Sequence, residues 1–238
     1  MINYEFIGKS VFFPQEKILV IADLHIGFED SLIEQGIFLP KQQFSKIKED
    51  LQKIFSKTGK LNEIIVLGDL KHEFSSILQQ EWREVIELIE IFKKNAKKIV
   101  LVRGNHDNYL INVVKRYGIK IVDFYIIHDT AFLHGNKISP EILDKKINLI
   151  FLGHMHPAIT ISEGVKRERY KCFLKGKFKD KEIVILPSFF PLIEGADVLI
   201  EDTNLDLKLD LRNFEVFAVS DEGEVFEFGK VKDVGRLN

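Results

Sequence analysis

Four apolar runs, each ending in polar side chains, constrain this chain more than any other feature of its 238 residues. They cover residues 18–25, 64–70, 99–107 and 149–156 and are rich in β-branched residues. Continuous runs of this kind predict strands that are buried on both faces, as in the parallel sheets of α/β proteins. A chain built on them must cover both faces of a sheet.

Helical patterns separate these runs and can supply that cover. We predict helices over residues 40–58, 76–94 and 108–117. Residues 124–135 predict a strand or a tight hairpin. After residue 158 the pattern becomes strand-like, in segments that we expect to pair antiparallel: 172–178, 182–189, 214–220 and 224–230. No linker rich in Gly, Pro or Ser divides the chain, so we predict a single α/β domain over residues 1–238 with a mixed sheet.

The composition excludes several classes of protein. Hydrophobic residues make up 45% and charged residues 29%, as in ordinary globular domains. No run approaches the roughly 20 apolar residues of a membrane helix. The first residues lack the basic start and apolar stretch of a signal peptide. The one cysteine, Cys172, allows no intrachain disulfide, and we expect a cytoplasmic protein.

Charge is distributed unevenly, although the net charge is only −2. Residues 166–181 carry eight Lys or Arg against two acids, and residues 194–224 carry ten acids against two basic residues. The first segment, with Arg167 and Arg169 among its cations, has two interpretations. It is either the solvated face of a strand or a strip that holds a polyanion such as a nucleic-acid backbone.

The apolar runs end in residues that can bind metals. Asp23 and His25 end the first run, Asp69 the second, and Asn105, His106 and Asp107 the third, while His154 and His156 end the fourth and His134 follows a further strand-like segment. Any one of these fragments is commonly a turn or a core residue. Because the carboxyl ends of strands meet at one edge of an α/β sheet, we expect all of them to lie close together.

The residue types indicate which ions such a site would hold. Carboxylate, imidazole and amide ligands suit first-row metals, and we expect two divalent ions, Mn²⁺ first, with Fe²⁺, Zn²⁺, Ni²⁺ or Co²⁺ as alternatives. The absence of cysteine from the set argues against a structural thiolate site. A carboxylate has two oxygens and can bridge two ions, and Asp69, which follows a glycine, is the natural bridge.

The ordered set of motifs resembles the calcineurin-like metallophosphoesterases. The segments that carry the likeness are IADLHIGFED, GDLKHEF, RGNHD, FLHG and GHMHP, and they span residues 18 to about 157. Their flanks look most like the archaeal relatives of Mre11/SbcD-type nucleases and the metallophosphoesterases associated with DNA ligases and helicases. The resemblance implies a four-layer αββα sandwich with mixed β-sheets.

The resemblance also implies a role for each site residue. One metal would be held by Asp23, His25 and His156, and the other by Asn105, His134 and His154, with Asp69 bridging both. His106 would face the phosphate and Asp107 would orient its imidazole.

The chemistry that follows is in-line hydrolysis. A hydroxide shared between two ions about 3.5–4 Å apart would attack phosphorus. A protonated His106 would stabilise the transition state or protonate the leaving oxygen. His72, Arg103, Arg167 and Arg169 are candidate substrate contacts, each with a purely structural alternative.

Three functions fit this sequence. The first is a phosphodiesterase or nuclease that acts on DNA or RNA, with a role in DNA repair and a DNA helicase or ligase as partner by resemblance. The second is a phosphomonoesterase or a small nucleotide phosphodiesterase, because one site of this type supports all of these reactions. The third is a non-catalytic scaffold, which the presence of all seven expected ligands and His106 disfavours.

Overall fold

The structure is a computed structural model that describes residues 3–37, 39–72, 79–107, 110–164, 166–200 and 205–234. Its first sheet has six strands that pair in chain order. They are β1 (Glu5–Ile7), β2 (Ser10–Phe13), β3 (Ile18–Ile21), β4 (Leu61–Leu67), β5 (Ala96–Val102) and β6 (Lys120–Val122). The strands β1 to β3 are antiparallel neighbours, whereas β3 to β6 run parallel.

Helices connect the parallel strands of this sheet. They are α1 (Phe28–Glu34), α2 (Gln43–Thr58), α3 (Gln79–Asn95) and α4 (Ile111–Arg116). Helix α2 buries the expected apolar face, which includes Ile47 and Leu51, but it begins three residues after Pro40. The helix predicted over 76–94 is α3, and its first expected turn lies outside the described residues.

The second sheet has nine strands. They are β7 (Phe124–Ile127), β8 (Thr130–Leu133), β9 (Leu149–Leu152), β10 (Pro157–Glu163), β11 (Lys166–Phe178), β12 (Lys181–Ile185), β13 (Ala196–Asp197), β14 (Glu215–Val219) and β15 (Val225–Lys230). The order is β13-β10-β11-β12-β9-β8-β7, and β14 pairs with β11 and β15.

The segment 124–135 is the predicted hairpin, β7 and β8. The four segments predicted after residue 158 correspond to β11, β12, β14 and β15, which pair antiparallel with one another as expected. On its other side β12 runs parallel to β9, a pairing that the sequence did not predict. Both β12 and β9 are largely apolar and lie in the sheet interior, where alternation of polar and apolar residues cannot reveal direction.

The two sheets pack face to face through an apolar layer rich in phenylalanine, with Phe13 from the first sheet and Phe132, Phe151 and Phe173 from the second. Helices α2 and α3 cover the outer face of the first sheet. The outer face of the second is covered by short 3₁₀ segments, by residues 198–200 and 205–211 and by α5 (Val231–Val234). This is the expected α/β architecture with mixed sheets, although its fourth layer contains little helix.

No helix in the described part of the chain is long and apolar enough to cross a membrane. The apolar strands are shorter than the sequence pattern suggests. The motif residues Asp23, Asp69, Asn105, His134 and His154 follow the last residues of β3, β4, β5, β8 and β9 by one to three positions. They therefore lie in loops at the carboxyl ends of these strands.

Candidate metal centre

Both sheets contribute to one cluster of polar side chains. The first sheet supplies Asp23 and His25 after β3, Asp69 after β4 and Asn105 after β5. The second supplies His134 after β8 and His154 and His156 after β9. Together with His72 and His106 at its rim, the cluster brings together six of the seven histidines of the chain.

The first metal group expected from the sequence is assembled in the structure. Nε2 of His25 lies 3.2 Å from Nε2 of His156, and the latter atom lies 3.5 Å from Oδ1 of Asp23. The candidate ligand atoms of these three residues all lie within 4.8 Å of one another. All three side chains are buried except for His156, which is 19% exposed.

The second group lies beside the first. Nε2 of His134 is 3.0 Å from Nδ1 of His154, 3.0 Å from Oδ1 of Asn105 and 3.3 Å from Oδ2 of Asp69. The same oxygen of Asp69 lies 3.9 Å from Nε2 of His25 in the first group. Asp69 therefore faces the candidate ligand nitrogens of both groups.

Two observations test whether these residues fit metal ions. Oδ1 of Asp23 is buried, yet it accepts no hydrogen bond from the residues that the structure describes. Nδ1 of His134 donates to the carbonyl of Leu67 at 2.9 Å, so that its Nε2 presents a lone pair to the cluster. A buried acceptor without a donor and ring nitrogens that converge at about 3 Å are the arrangement that a cation satisfies, and the residues fit.

The pKa shifts of the residues in the cluster also fit metal binding. Burial lowers the pKa of His25 to about 3, which keeps its imidazole neutral and able to bind a metal. Burial opposes ionisation of Asp69 as well, but its hydrogen bond with His134 and the nearby histidines hold its pKa below the usual range. Burial would lower the pKa of His134, yet the hydrogen bond to Asp69 and the charge of Asp23 raise it to about 9. A bound cation would replace this proton.

The backbone at the cluster is strained. Five of the seven expected ligands have positive φ: Asp23 (55°), His25 (43°), Asp69 (48°), His154 (67°) and His156 (50°). Non-glycine residues in this region cost on the order of 1–3 kcal/mol each and concentrate at functional sites. Hydrogen bonds between the loops hold the conformation, for example from the amide of His25 to the carbonyl of Asp69 at 2.9 Å.

Close packing around Asp69 requires a glycine. A Cβ atom at Gly104 would lie 2.2 Å from Oδ1 of Asp69. The same oxygen accepts the amide of His106 at 3.0 Å. The RGNHD loop therefore binds Asp69 through its backbone, which a chain with any side chain at position 104 could not do without displacing the carboxylate.

The structure corrects the role of Asp107. Its carboxylate accepts three backbone amides, those of Asp69, Leu70 and Gly104, at 2.9 to 3.0 Å. Asp107 thus joins the loops after β4 and β5, whereas the resemblance implies that it orients His106. Nδ1 of His106 contacts the carbonyl of His72. The sequence could not reveal this, because a backbone carbonyl leaves no mark in the residue pattern.

His106 and His72 lie at the rim of the cluster. Nε2 of His106 is 3.8 Å from Oδ2 of Asp69, and its side chain is 11% exposed. The ring of His72 stacks on that of His106 with centroids 5.3 Å apart, and its Nδ1 lies 3.4 Å from Nδ1 of His25. Both imidazoles are therefore close to a group bound at the cluster.

The three candidate arginines lie at different places. Arg103 is at the edge of the cluster, two residues before Asn105, and pairs with Asp123 at 3.5 Å. Arg169 donates to the carbonyl of Gly195 at 3.1 Å. Arg167 is exposed on β11 opposite Ser162. Ser162 follows His156 by six residues, which is about 20 Å along an extended strand.

The basic segment 166–181 does not form one charged face. The ammonium of Lys171 binds the carbonyls of Ser188 and Phe190, and that of Lys181 binds two further carbonyls, at residues 144 and 147. Lys175 lies 3.8 Å from a carboxylate oxygen of Glu182. Several of these cations serve the fold, which weakens the interpretation of the segment as a polyanion strip.

The loop after β12 is a part of the site that the sequence pattern did not reveal. Oγ of Ser188 donates to the carbonyl of Asp23 at 2.9 Å, and the amide of Phe189 donates to Ala22 at 2.9 Å. Lys171 holds this loop from the other side. Its sequence, LPSFF, resembles simple core packing, and no titratable residue in it points to a site.

Comparison with known proteins agrees with the geometry. The sequence profile described as "Calcineurin-like phosphoesterase" matches residues 16–219. No curated protein sequence matches the chain. The structure is similar to a nuclease named MPE from Pseudomonas putida, with a TM-score of 0.66 and 20% identity over 95% of this chain and 100% of that one.

Another solved structure is less similar. Vacuolar Protein Sorting 29 from Cryptosporidium parvum has a TM-score of 0.42 and 18% identity over 90% of this chain and 97% of that one. At 20% identity, the match to the nuclease speaks for the fold alone.

Proposed function

The chain belongs to the calcineurin-like phosphoesterase family and is a metal-dependent phosphoesterase, and from this membership we propose that it cleaves phosphodiester bonds in DNA or RNA with two divalent ions. One observation supports the binding of two ions. A single oxygen of Asp69 lies 3.3 Å from the ligand nitrogen of one candidate group and 3.9 Å from that of the other. Asp23, His25 and His156 would hold one ion, and Asn105, His134 and His154 the other.

The bound ions, Mn²⁺ in our proposal, would activate water and neutralise charge on the phosphate. The residues of the chain would orient the substrate and supply a proton. Because Nδ1 of His106 is occupied by the carbonyl of His72, Nε2 is the atom that can hold or release a proton toward the substrate. Hydrolysis of a diester consumes one water and yields an alcohol and a monoester, and this proton goes to the alcohol oxygen.

The narrower assignments rest on the subgroup resemblance of the motifs. The similarity to the nuclease from Pseudomonas putida supports nucleic acid as the substrate class. A role in DNA repair beside a DNA helicase or ligase is the corresponding partner hypothesis. The alternative function, a monoesterase or small nucleotide phosphodiesterase, uses the same site and differs in the groups that flank the phosphate.

The experiment is a substrate panel with the protein loaded with Mn²⁺: p-nitrophenyl phosphate, bis-p-nitrophenyl phosphate, and single-stranded DNA and RNA. We expect hydrolysis of the diesters and of the polynucleotides, and two ions per chain by elemental analysis. Asp69→Asn should abolish both metal binding and hydrolysis. His128→Asn is the matched control, because His128 is exposed in a turn with positive φ, which asparagine tolerates.

Each result decides between the hypotheses. A faster rate on the monoester than on the diester favours the alternative function. Absence of hydrolysis with every divalent ion tested leaves only the scaffold. Cleavage of polynucleotides that persists in Asp69→Asn contradicts the proposed site.

A further inference from the structure

A cleft of about 530 Å³ opens beside the metal centre. Asn105 and His134 form its inner end, so that it is continuous with the second candidate metal group. Its walls come from three loops, those after β5, between β6 and β7, and after β8. Two further cavities, of about 350 and 450 Å³, are lined by none of the seven candidate ligands.

The outer part of the cleft is cationic. Arg103, with 41% of its side chain exposed, and the exposed Lys137 both line it. The acid in this part is Asp123, which lies 3.5 Å from Arg103 and is 76% exposed. An ion pair between exposed side chains contributes little, so a phosphate can replace Asp123 as the partner of the guanidinium.

The remaining walls combine apolar side chains with the polar Asn136 and Ser139. Phe124, Ile138 and Pro140 line the cleft. Asp206 fixes the wall after β8, because its carboxylate accepts the amide of Ile138 at 2.8 Å and its own amide donates to Gly135 at 3.2 Å. Aromatic and apolar walls of this kind accept the face of a base or a sugar.

We propose that this cleft binds the nucleotide next to the scissile phosphate, with the neighbouring phosphate on Arg103 and Lys137. This inference rests on the proposed function. A volume of about 530 Å³ falls in the range of sites for whole small molecules and exceeds the needs of one phosphate group. The substrate class that we favour is a polynucleotide strand, because each unit of such a chain presents a base and a second phosphate together beyond the reacting one.

The test measures binding separately from hydrolysis. Affinity for a fluorescein-labelled single-stranded DNA oligonucleotide is followed by anisotropy in EDTA over a series of salt concentrations. The double variant Arg103→Ala/Lys137→Ala should bind more weakly. Its plot of log affinity against log salt should be shallower by about 1.4, because each cation that no longer neutralises a phosphate reduces the slope by about 0.7.

The matched control is Arg212→Ala/Lys177→Ala. Arg212 is an exposed arginine paired with an aspartate, Asp210, as Arg103 is with Asp123, and Lys177 is an exposed lysine on β11. We expect this variant to bind as the unmodified protein does. An equal reduction of slope in the control, an unchanged slope in the cleft variant, or no binding by the unmodified protein would each overturn the proposal.

Hydrolysis of bis-p-nitrophenyl phosphate with Mn²⁺ keeps the two proposals apart, because this substrate has no second phosphate. The unmodified protein is assayed on this diester, and the control variant Arg212→Ala/Lys177→Ala should match its rate within about twofold, because neither changed residue lines the cleft or belongs to a candidate metal group. If the unmodified protein hydrolyses this diester while the salt slope is unaffected by the cleft variant, the cleft proposal fails and the proposed function stands. If the diester is not hydrolysed, the proposed function fails whatever the salt slope shows.

Discussion

His106 has one ring nitrogen fixed and the other turned toward the centre. The carbonyl of His72 occupies Nδ1, and Nε2 lies 3.8 Å from Oδ2 of Asp69. His106 is not one of the seven proposed ligands, although its ring converges with those of His25 and His72 in a third group, and we expect His106→Gln to bind two metal ions as before. Its kcat on single-stranded DNA should fall by about 10²–10⁴, the usual contribution of a general acid, because the leaving alkoxide requires a proton, which p-nitrophenolate does not.

Metal content by elemental analysis and steady-state kinetics check this together. A variant that loses both ions would show instead that His106 supports the ligands. An unchanged kcat would remove it from the reaction.

Gly104 is the residue where packing limits the site most severely. Gly104→Ala would bring a methyl group against Oδ1 of Asp69 at 2.2 Å. We expect metal affinity to fall at least about tenfold, because supporting groups typically contribute 10–100-fold to affinity, together with about 1–3 kcal/mol of stability. Isothermal titration with Mn²⁺ and chemical denaturation measure the two effects.

Gly176→Ala is the control for this steric effect. A Cβ at Gly176 would lie 2.4 Å from the ring of Phe214, away from the candidate ligands. It should lower stability to a similar degree and leave metal affinity unchanged. Equal reductions of metal affinity in the two variants would mean that the effect on metal binding is a general result of destabilisation.

At the scale of elements, the loop after β12 holds the first motif in place. Oγ of Ser188, which is buried, donates to the carbonyl of Asp23. Ser188→Ala should cost about 0.5–1.5 kcal/mol of stability, the usual net contribution of one hydrogen bond, because the carbonyl of Asp23 keeps the amide of Phe190 as a second donor. We also expect a weaker affinity for the ions, by about tenfold, as for other groups that orient a ligand.

Ser56→Ala provides the comparison. Oγ of Ser56 bonds to a carbonyl within helix α2, in an exposed position. Its metal affinity, measured in the same titration, should equal that of the unmodified protein. The same metal affinity in the Ser188 and Ser56 variants would refute the positioning role of Ser188.

The strand runs and the polar residues behind them could be predicted because both depend on local sequence. An apolar run as in β9 marks a buried strand, and Asp or His directly after it stands out. The predicted strands end too late, since β3, β4, β5 and β9 stop three to five residues before the predicted ends. The side chains alone do not indicate the positive φ of the ligand loops that follow. The parallel pairing of β12 with β9 and the hydrogen bonds of Asp107 depend on contacts between distant segments, which local patterns do not encode.

At the scale of the whole molecule, the candidate ligands come from two sheets that pack on each other. The strands β3, β4 and β5 carry one part of the set and β8 and β9 the other. The unfolded chain cannot assemble this set, so the ions bind the native state alone. At a free concentration about 100 times the dissociation constant, one ion adds about 2.7 kcal/mol of stability.

For a chain of this size, that amount corresponds to a rise in Tm of about 5–10 °C. We expect addition of Mn²⁺ to the protein stripped with EDTA to produce this shift in a thermal melt. Asp69→Asn should show a much smaller one. An equal shift in both proteins would mean that the ions act elsewhere on the chain.

His25 and His156 are separated by 131 residues in the chain, and their Nε2 atoms lie 3.2 Å apart. Ions held between them would act as a reversible cross-link that closes most of the chain into a loop. Closing a loop of this span costs the chain entropy of the order of 4–5 kcal/mol, which folding has already met when the ions bind the native state and stabilise it by mass action. Secreted proteins obtain such closure from disulfides, which a chain with one cysteine cannot form within itself. Here a chelator would remove the link, and the same metal centre would serve both catalysis and the stability of the fold.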